Sequence, residues 1–207
     1  MCKENNSIVY LYRMTHDYGN NPCCFNESIE PTPELLTLGG CKKIIQGTIY
    51  RNYRDLLENN GIDIYIMAIA GKPRDHGRDK DKNGIGLITS NYEALMYVAK
   101  ISSAMTRKEY LDNQKYSDRK DAIWYREHEK EEPLPVLLSD NFVYYGKNAK
   151  AIDQKIIDLF PPRQGHRTYD GSDKKKEQTA LLLSFIKNEL NGEGSVMGEP
   201  YNPNPKF

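Results

Sequence analysis

Ile8-Val9-Tyr10-Leu11-Tyr12-Arg13-Met14 decides how the rest of the chain is read. Ile8, Tyr10, Tyr12 and Met14 alternate with Val9, Leu11 and Arg13, the period-2 pattern of a β-strand. Thr15-His16-Asp17-Tyr18-Gly19-Asn20-Asn21-Pro22 follows at once, a cluster of turn-forming residues. The chain therefore opens with a strand that delivers a histidine and a carboxylate to its end.

Working outward, residues 62–70 are nearly all apolar and read as a second, central strand. Residues 94–101 read as a third. Between the first two strands, residues 23–42 read as irregular, and Tyr50, Tyr53, Leu56 and Leu57 recur at helical spacing. They predict a helix over 49–59, stopped by Asn59-Asn60-Gly61. Thr106-Arg107-Lys108-Glu109 has the form of a capping box and starts a short helix. Residues 112–133 are polar and read as a long excursion or lid. Val136–Ser139 and Phe142–Tyr145 read as two strands or one bent one. A short helix over 152–160 stops at Pro161-Pro162, and a last helix capped by Ser172 or Asp173 carries Leu182, Leu183, Phe185, Ile186 and Leu190. The order lacks regular βαβ alternation. It predicts an α+β fold with a mainly antiparallel sheet or small β-barrel and flanking helices. Residues 1–198 form one domain on this reading, and 199–207 a loose tail.

The 207 residues carry 29 basic and 29 acidic side chains, a net charge of zero. A generally basic surface for tight duplex binding is excluded. DNA contact would fall to local patches at Lys42-Lys43, Arg74–Arg78 and Lys174–Lys176. Leu, Ile, Val and Phe supply 44 residues, enough for a modest core. No apolar stretch approaches a membrane span and no signal-peptide core opens the chain, so a soluble, cytoplasmic protein without membrane contact is expected. Four cysteines at 2, 23, 24 and 41 lack ligand spacing and are read as free thiols, with no metal site and no cofactor expected. Asp79-Lys80-Asp81-Lys82-Asn83-Gly84 imitates a calcium loop, but the twelfth position is Ser90 rather than Glu. A solvated charged loop is the plainer reading.

Two turns carry the chemistry. His16 beside Asp17 offers a group titrating near neutrality and a carboxylate, suited to acid–base work or to reading a base edge. Arg163-Gln164-Gly165-His166-Arg167 offers two guanidiniums and an imidazole, suited to a phosphate or another acidic group. For either histidine, a structural or surface role competes equally. Asp140 and the pair Tyr144-Tyr145 suit a site or a hairpin with core tyrosines, and Trp124 either stacks a base or packs the lid down.

Taken in order, these blocks resemble the second type of nucleotide modification associated domain. The resemblance runs through Tyr10–Gly19 with Asn21-Pro22, Thr37-Leu38-Gly39-Gly40-Cys41-Lys42, and Leu95–Lys100 followed by Thr106–Tyr110 and Lys120. It continues in Val136–Gly146 and Gln164–Arg167, covering roughly residues 8–200. The chain departs from the family in a longer segment over 44–61, in the missing tryptophan of Ile62-Asp63-Ile64-Tyr65, and in a short gap from Lys120 to Val136.

The resemblance implies a role around base modification of DNA or nucleotide pools in phage and bacteria, among defence and counter-defence genes. One reading is a nucleotide- or base-recognising protein, with His16, Asp17, Cys41, Asp140, Tyr144 and Arg167 lining a pocket for the base or nucleotide and Thr15, Lys43, Lys120 and His166 also expected among the substrate-binding residues. A second is an enzyme on the same ligands, with His16 as general base, Asp17 as its partner, and Arg167 or Lys120 stabilising negative charge. A third is an interaction module whose polar clusters are structural. Under the first two, His16 and Asp17 are expected to share one concave site with Gly165-His166-Arg167.

Overall fold

The computed structural model describes residues 6–39, 43–72, 88, 90–127, 134–163 and 165–201. In chain order the elements are β1 (Ser7–Met14), β2 (Leu36–Leu38), α1 (Lys43–Glu58), β3 (Asp63–Ala70), β4 (Leu95–Ile101) and β5 (Ser103–Met105). There follow α2 (Arg107–Asp112), α3 (Lys120–Glu127), β6 (Val136–Ser139), β7 (Asn141–Tyr144), α4 (Gln154–Ile157), β8 (His166–Tyr169), α5 (Lys176–Glu189) and β9 (Gly194–Val196).

Six strands form a sheet in the order β8-β1-β3-β4-β7-β9, and three form a second in the order β2-β6-β5. The β1–β3 and β7–β9 pairings are parallel. Every other pairing between these strands is antiparallel. The α+β expectation with mainly antiparallel pairing holds. The barrel alternative does not, because both sheets are open.

One feature joins the sheets. The pairs Tyr97↔Tyr144 and Lys100↔Asn141 lie in the same register as Ser103↔Leu138 and Met105↔Val136. A single long antiparallel pair therefore bends and passes from the large sheet into the small one. Ser102 holds the bend, its N–H donating to Leu138 O at 2.9 Å, and Asp140 marks it on the other strand.

Alternation along β1 fills two cores. Ile8, Tyr10, Tyr12 and Met14 face α1 and the small sheet, packing with Ile45, Ile49, Leu36 and Leu137. Val9 and Leu11 face α4 and α5, with Ile156, Leu182 and Ile186. Full burial of Leu182 and Ile186 contributes about 1.5–3 kcal/mol each. β3 is central, as its apolar run predicts.

Several expectations shift in detail. α1 begins six residues before the expected 49, bringing Ile45 and Ile49 into the core beside Leu57. Asn60 (φ 51°) and the Gly61 N–H to Leu56 O bond end it. The capping box forms in full at Thr106 and Glu109. Residues 173–175 make a 3-10 turn before α5. The stretch over 112–133 is no lid where it is described: Tyr110, Tyr116 and Tyr125 pack with Val136 and Leu138 in a third core on the outer face of the small sheet. The start of the expected tail is engaged too. The Lys147 N–H donates to Glu199 O at 2.8 Å, and a Cβ on Gly146 (φ 51°) would clash with that carbonyl.

Candidate functional site

The chain leaves β1 at Met14 and drops onto the core side of the large sheet. Thr15 is buried and its carbonyl accepts the Ile88 N–H at 3.0 Å. Asp17 is completely buried. Its carboxylate accepts from the Tyr144 hydroxyl at 2.7 Å, the Gly19 N–H at 3.3 Å and the Tyr201 N–H at 3.3 Å. Burial pushes its pKa up to about 6. The Tyr144 bond, the two backbone donors and the Lys147 charge pull the other way. Burial and the neighbouring Asp17 charge push the Tyr144 phenol well up in turn.

His16 is half-buried, with Nδ1 3.1 Å from Thr15 Oγ1 and its ring stacked on Tyr18 at 5.9 Å. None of the hydrogen bonds of Asp17 goes to His16. The two neighbours in sequence are not a hydrogen-bonded dyad. Asp17 acts as a clasp that joins the end of β1 to β7 and to residue 201.

The other candidates are dispersed. Asp140 is exposed at the bend between the sheets, where its charge acts on Lys100, itself paired with Asp63 at 2.8 Å. Lys43 is exposed at the start of α1. Lys120 is half-buried at the start of α3, and burial lowers its ammonium pKa. Cys41, Gln164, the Arg74–Arg78 patch and the calcium-loop imitation lie outside the described residues. Cys23 and Cys24 are free and buried, and burial pushes the Cys23 thiol up to about 12. Neither is poised as a nucleophile. Trp124 packs edge-on against Tyr125.

The His166–Arg167 turn is in fact an edge strand. β8 pairs with β1, placing His166 opposite Tyr12 and Arg167 opposite Leu11. Directly paired residues share a face. Arg167 therefore stands on the α4–α5 side with Leu11, while Asp17 and Tyr144 lie on the other. The sheet separates Arg167 from Asp17, while His166, opposite Tyr12, stands on the Asp17 side.

Arg167 belongs instead to a hollow of about 390 Å³ between β8 and the start of α5. Its described lining residues are Leu159, Arg167, Thr168, Tyr169, Lys174, Lys175 and Gln178, three cations and no carboxylate among them. Arg167 Nη1 donates to Asp158 O and Leu159 O at 3.3 and 3.4 Å, carbonyls at the end of α4. Lys175 Nζ donates to Thr168 O at 2.8 Å. Two of the cations are thus held in place by backbone. Nε and Nη2 of Arg167 share the edge that grips phosphate or carboxylate side-on.

Two buried groups escaped the reading of the sequence. Arg119 and Asp121 pair at 3.6 Å in the third core. Arg119 also donates to Tyr110, Thr32 and the Cys23 carbonyl, and Asp121 accepts from Tyr110 and Thr37. That network is satisfied and structural. Arg107, also buried, stacks over Tyr125 at 4.6 Å and reaches Gly39 O at 3.4 Å, with Nε and Nη1 unpaired. A Cβ on Gly39 would clash with the Tyr125 hydroxyl. A buried arginine between polar neighbours in a charged stretch gives no periodic signal.

Among the described residues no three His, Cys, Asp or Glu side chains converge to hold a metal, and no helix is long and apolar enough to cross a membrane. The family model described as nucleotide modification associated domain 2 matches residues 122–204. The resemblance read from the sequence is borne out over that stretch, which contains β6 to β9, α4, α5 and the whole basic hollow. No curated protein and no solved structure matches.

Proposed function

We propose that the protein recognises a nucleotide or nucleic-acid base in the setting of base modification, and that the hollow between β8 and α5 takes its phosphate. The observation that carries this reading is the lining of that hollow, with Arg167, Lys174 and Lys175 and no acid. A phosphate brings the negative charge that such a lining lacks, and the fork of Arg167 suits it bidentately. Tyr169, Leu159 and Gln178 supply the mixed apolar and amide surface that a sugar or base would meet. The match of residues 122–204 to a nucleotide-modification family supports the ligand class.

Recognition is preferred to catalysis by a His16–Asp17 pair because Asp17 spends its oxygens on Tyr144, Gly19 and Tyr201. The phage and bacterial defence setting, and DNA as the carrier of the base, are part of this proposal. They rest on the resemblance and on Lys174–Lys176 as a local patch.

Calorimetry with deoxynucleoside monophosphates tests it. Arg167→Gln should weaken binding tenfold or more, as loss of a charge-assisted bond of about 1.5–3 kcal/mol requires. Affinity unchanged in both Arg167→Gln and Lys175→Gln would overturn the assignment.

A further inference from the structure

Gln46 lies in the first turn of α1, 1% exposed, and neither Nε2 nor Oε1 has a hydrogen-bond partner. Buried amides are rarely left in that state, since the lost hydration is not replaced. The carboxamide lines a small chamber with Tyr12, Leu38, Ile45, Ile66, Tyr97 and Leu137. All of these are buried. The Tyr12 and Tyr97 hydroxyls meet each other at 2.7 Å. About 10 Å³ remains in which the centre of a water-sized group can move.

The walls select the occupant. The space is at the lower limit for one water molecule, so a whole base or phosphate is excluded by size. An ion is disfavoured because none of the described residues that line the chamber carries a charge. A methyl group would fit but would leave both amide atoms unpaired. A hydroxyl donates once and accepts twice, so it satisfies Oε1 and Nε2 together.

We propose that this chamber is a binding site for one buried water molecule, with Gln46 as the residue that holds it. A nucleotide's own hydroxyl does not reach it: every lining side chain is buried, and the chamber lies on the α1 side of the large sheet, across the sheet from the hollow that contains Arg167. The water ties the start of α1 to the face of the sheet that carries the tyrosine pair of β1 and β4.

A high-resolution crystal structure of the wild-type protein is the test. The expected result is one oxygen within hydrogen-bond distance of both Gln46 Oε1 and Nε2. A dry chamber with the carboxamide still turned into it overturns the proposal. So does a carboxamide swung out onto a protein partner. A structure of the Gln46→Leu variant is the control. Its chamber should hold no ordered oxygen, because both amide atoms are gone; an oxygen that stays in the same place overturns the role of Gln46.

Discussion

Asp17 and Tyr144 stand 127 positions apart and share a buried 2.7 Å hydrogen bond, the phenol donating to the carboxylate. That bond fixes the end of β1 over the core face of the large sheet and joins it to β7. The Tyr201 N–H reaches the same carboxylate oxygen. Charge on Asp17 is costly there despite these donors, and its pKa of about 6 records the balance.

The sign of the pH dependence follows. Asp17 holds its proton to higher pH in the folded chain than near 3.8, its ordinary value. Its contribution to stability is therefore fully present below about 4 and falls as pH rises through about 6. The loss should amount to about 3 kcal/mol from this group. Urea unfolding at pH 4, 5, 6 and 7 measures it, with Asp17→Asn as the control that flattens this part of the profile. A profile unchanged by Asp17→Asn would contradict it.

Tyr144→Phe removes the donor and leaves the packing against Phe25, whose ring sits 5.5 Å away. The expected cost is about 1–3 kcal/mol, and larger at pH 7 than at pH 4, because bonds to charged groups are the stronger ones. Denaturant midpoints for both proteins at the two pH values give the comparison. Equal costs at both would mean that the carboxylate is not charged at neutrality.

Arg119→Met strands Asp121 in the third core. Loss of one partner of a buried pair should cost about 3–5 kcal/mol. The double variant Arg119→Met, Asp121→Leu should recover part of that, since no buried charge is left. A double variant as unstable as the sum of the singles would refute the coupling.

Arg107→Met should behave in the opposite way. Among the described residues no carboxylate pairs with Arg107, so removing the charge relieves a buried cation, while methionine can keep contact with Tyr125. Stability should stay level or rise by up to about 2 kcal/mol, read by thermal unfolding. A fall of that size would show that its stacking outweighs its burial.

The strands with uninterrupted apolar patterns, β1, β3 and β4, were legible in the sequence, as was the capping box at Thr106. Hydrophobic burial on one or both faces imposes that periodicity. β2, β5 and β8 were not, because three or four residues are too few for a period and His166-Arg167-Thr168-Tyr169 looks like a turn. Arg119 and Asp121 looked solvated because a charge carries no mark of its partner. Asp17, Tyr144 and Arg167 each stand out in the sequence, yet which of them meet depends on strand order. Placing Arg167 opposite Leu11 sends it to the far side of the sheet from Asp17, and no local pattern encodes that.

The basic hollow between β8 and α5 is where a nucleotide should bind. ¹⁵N-resolved NMR of the wild-type protein, titrated with a deoxynucleoside monophosphate, reads every backbone amide in one experiment. The largest shifts should fall on Arg167–Tyr169 and Lys174–Gln178, and should shrink as salt screens the cations. Shifts centred instead on His16, Asp17 and Tyr144, with Lys174–Gln178 silent, would contradict it.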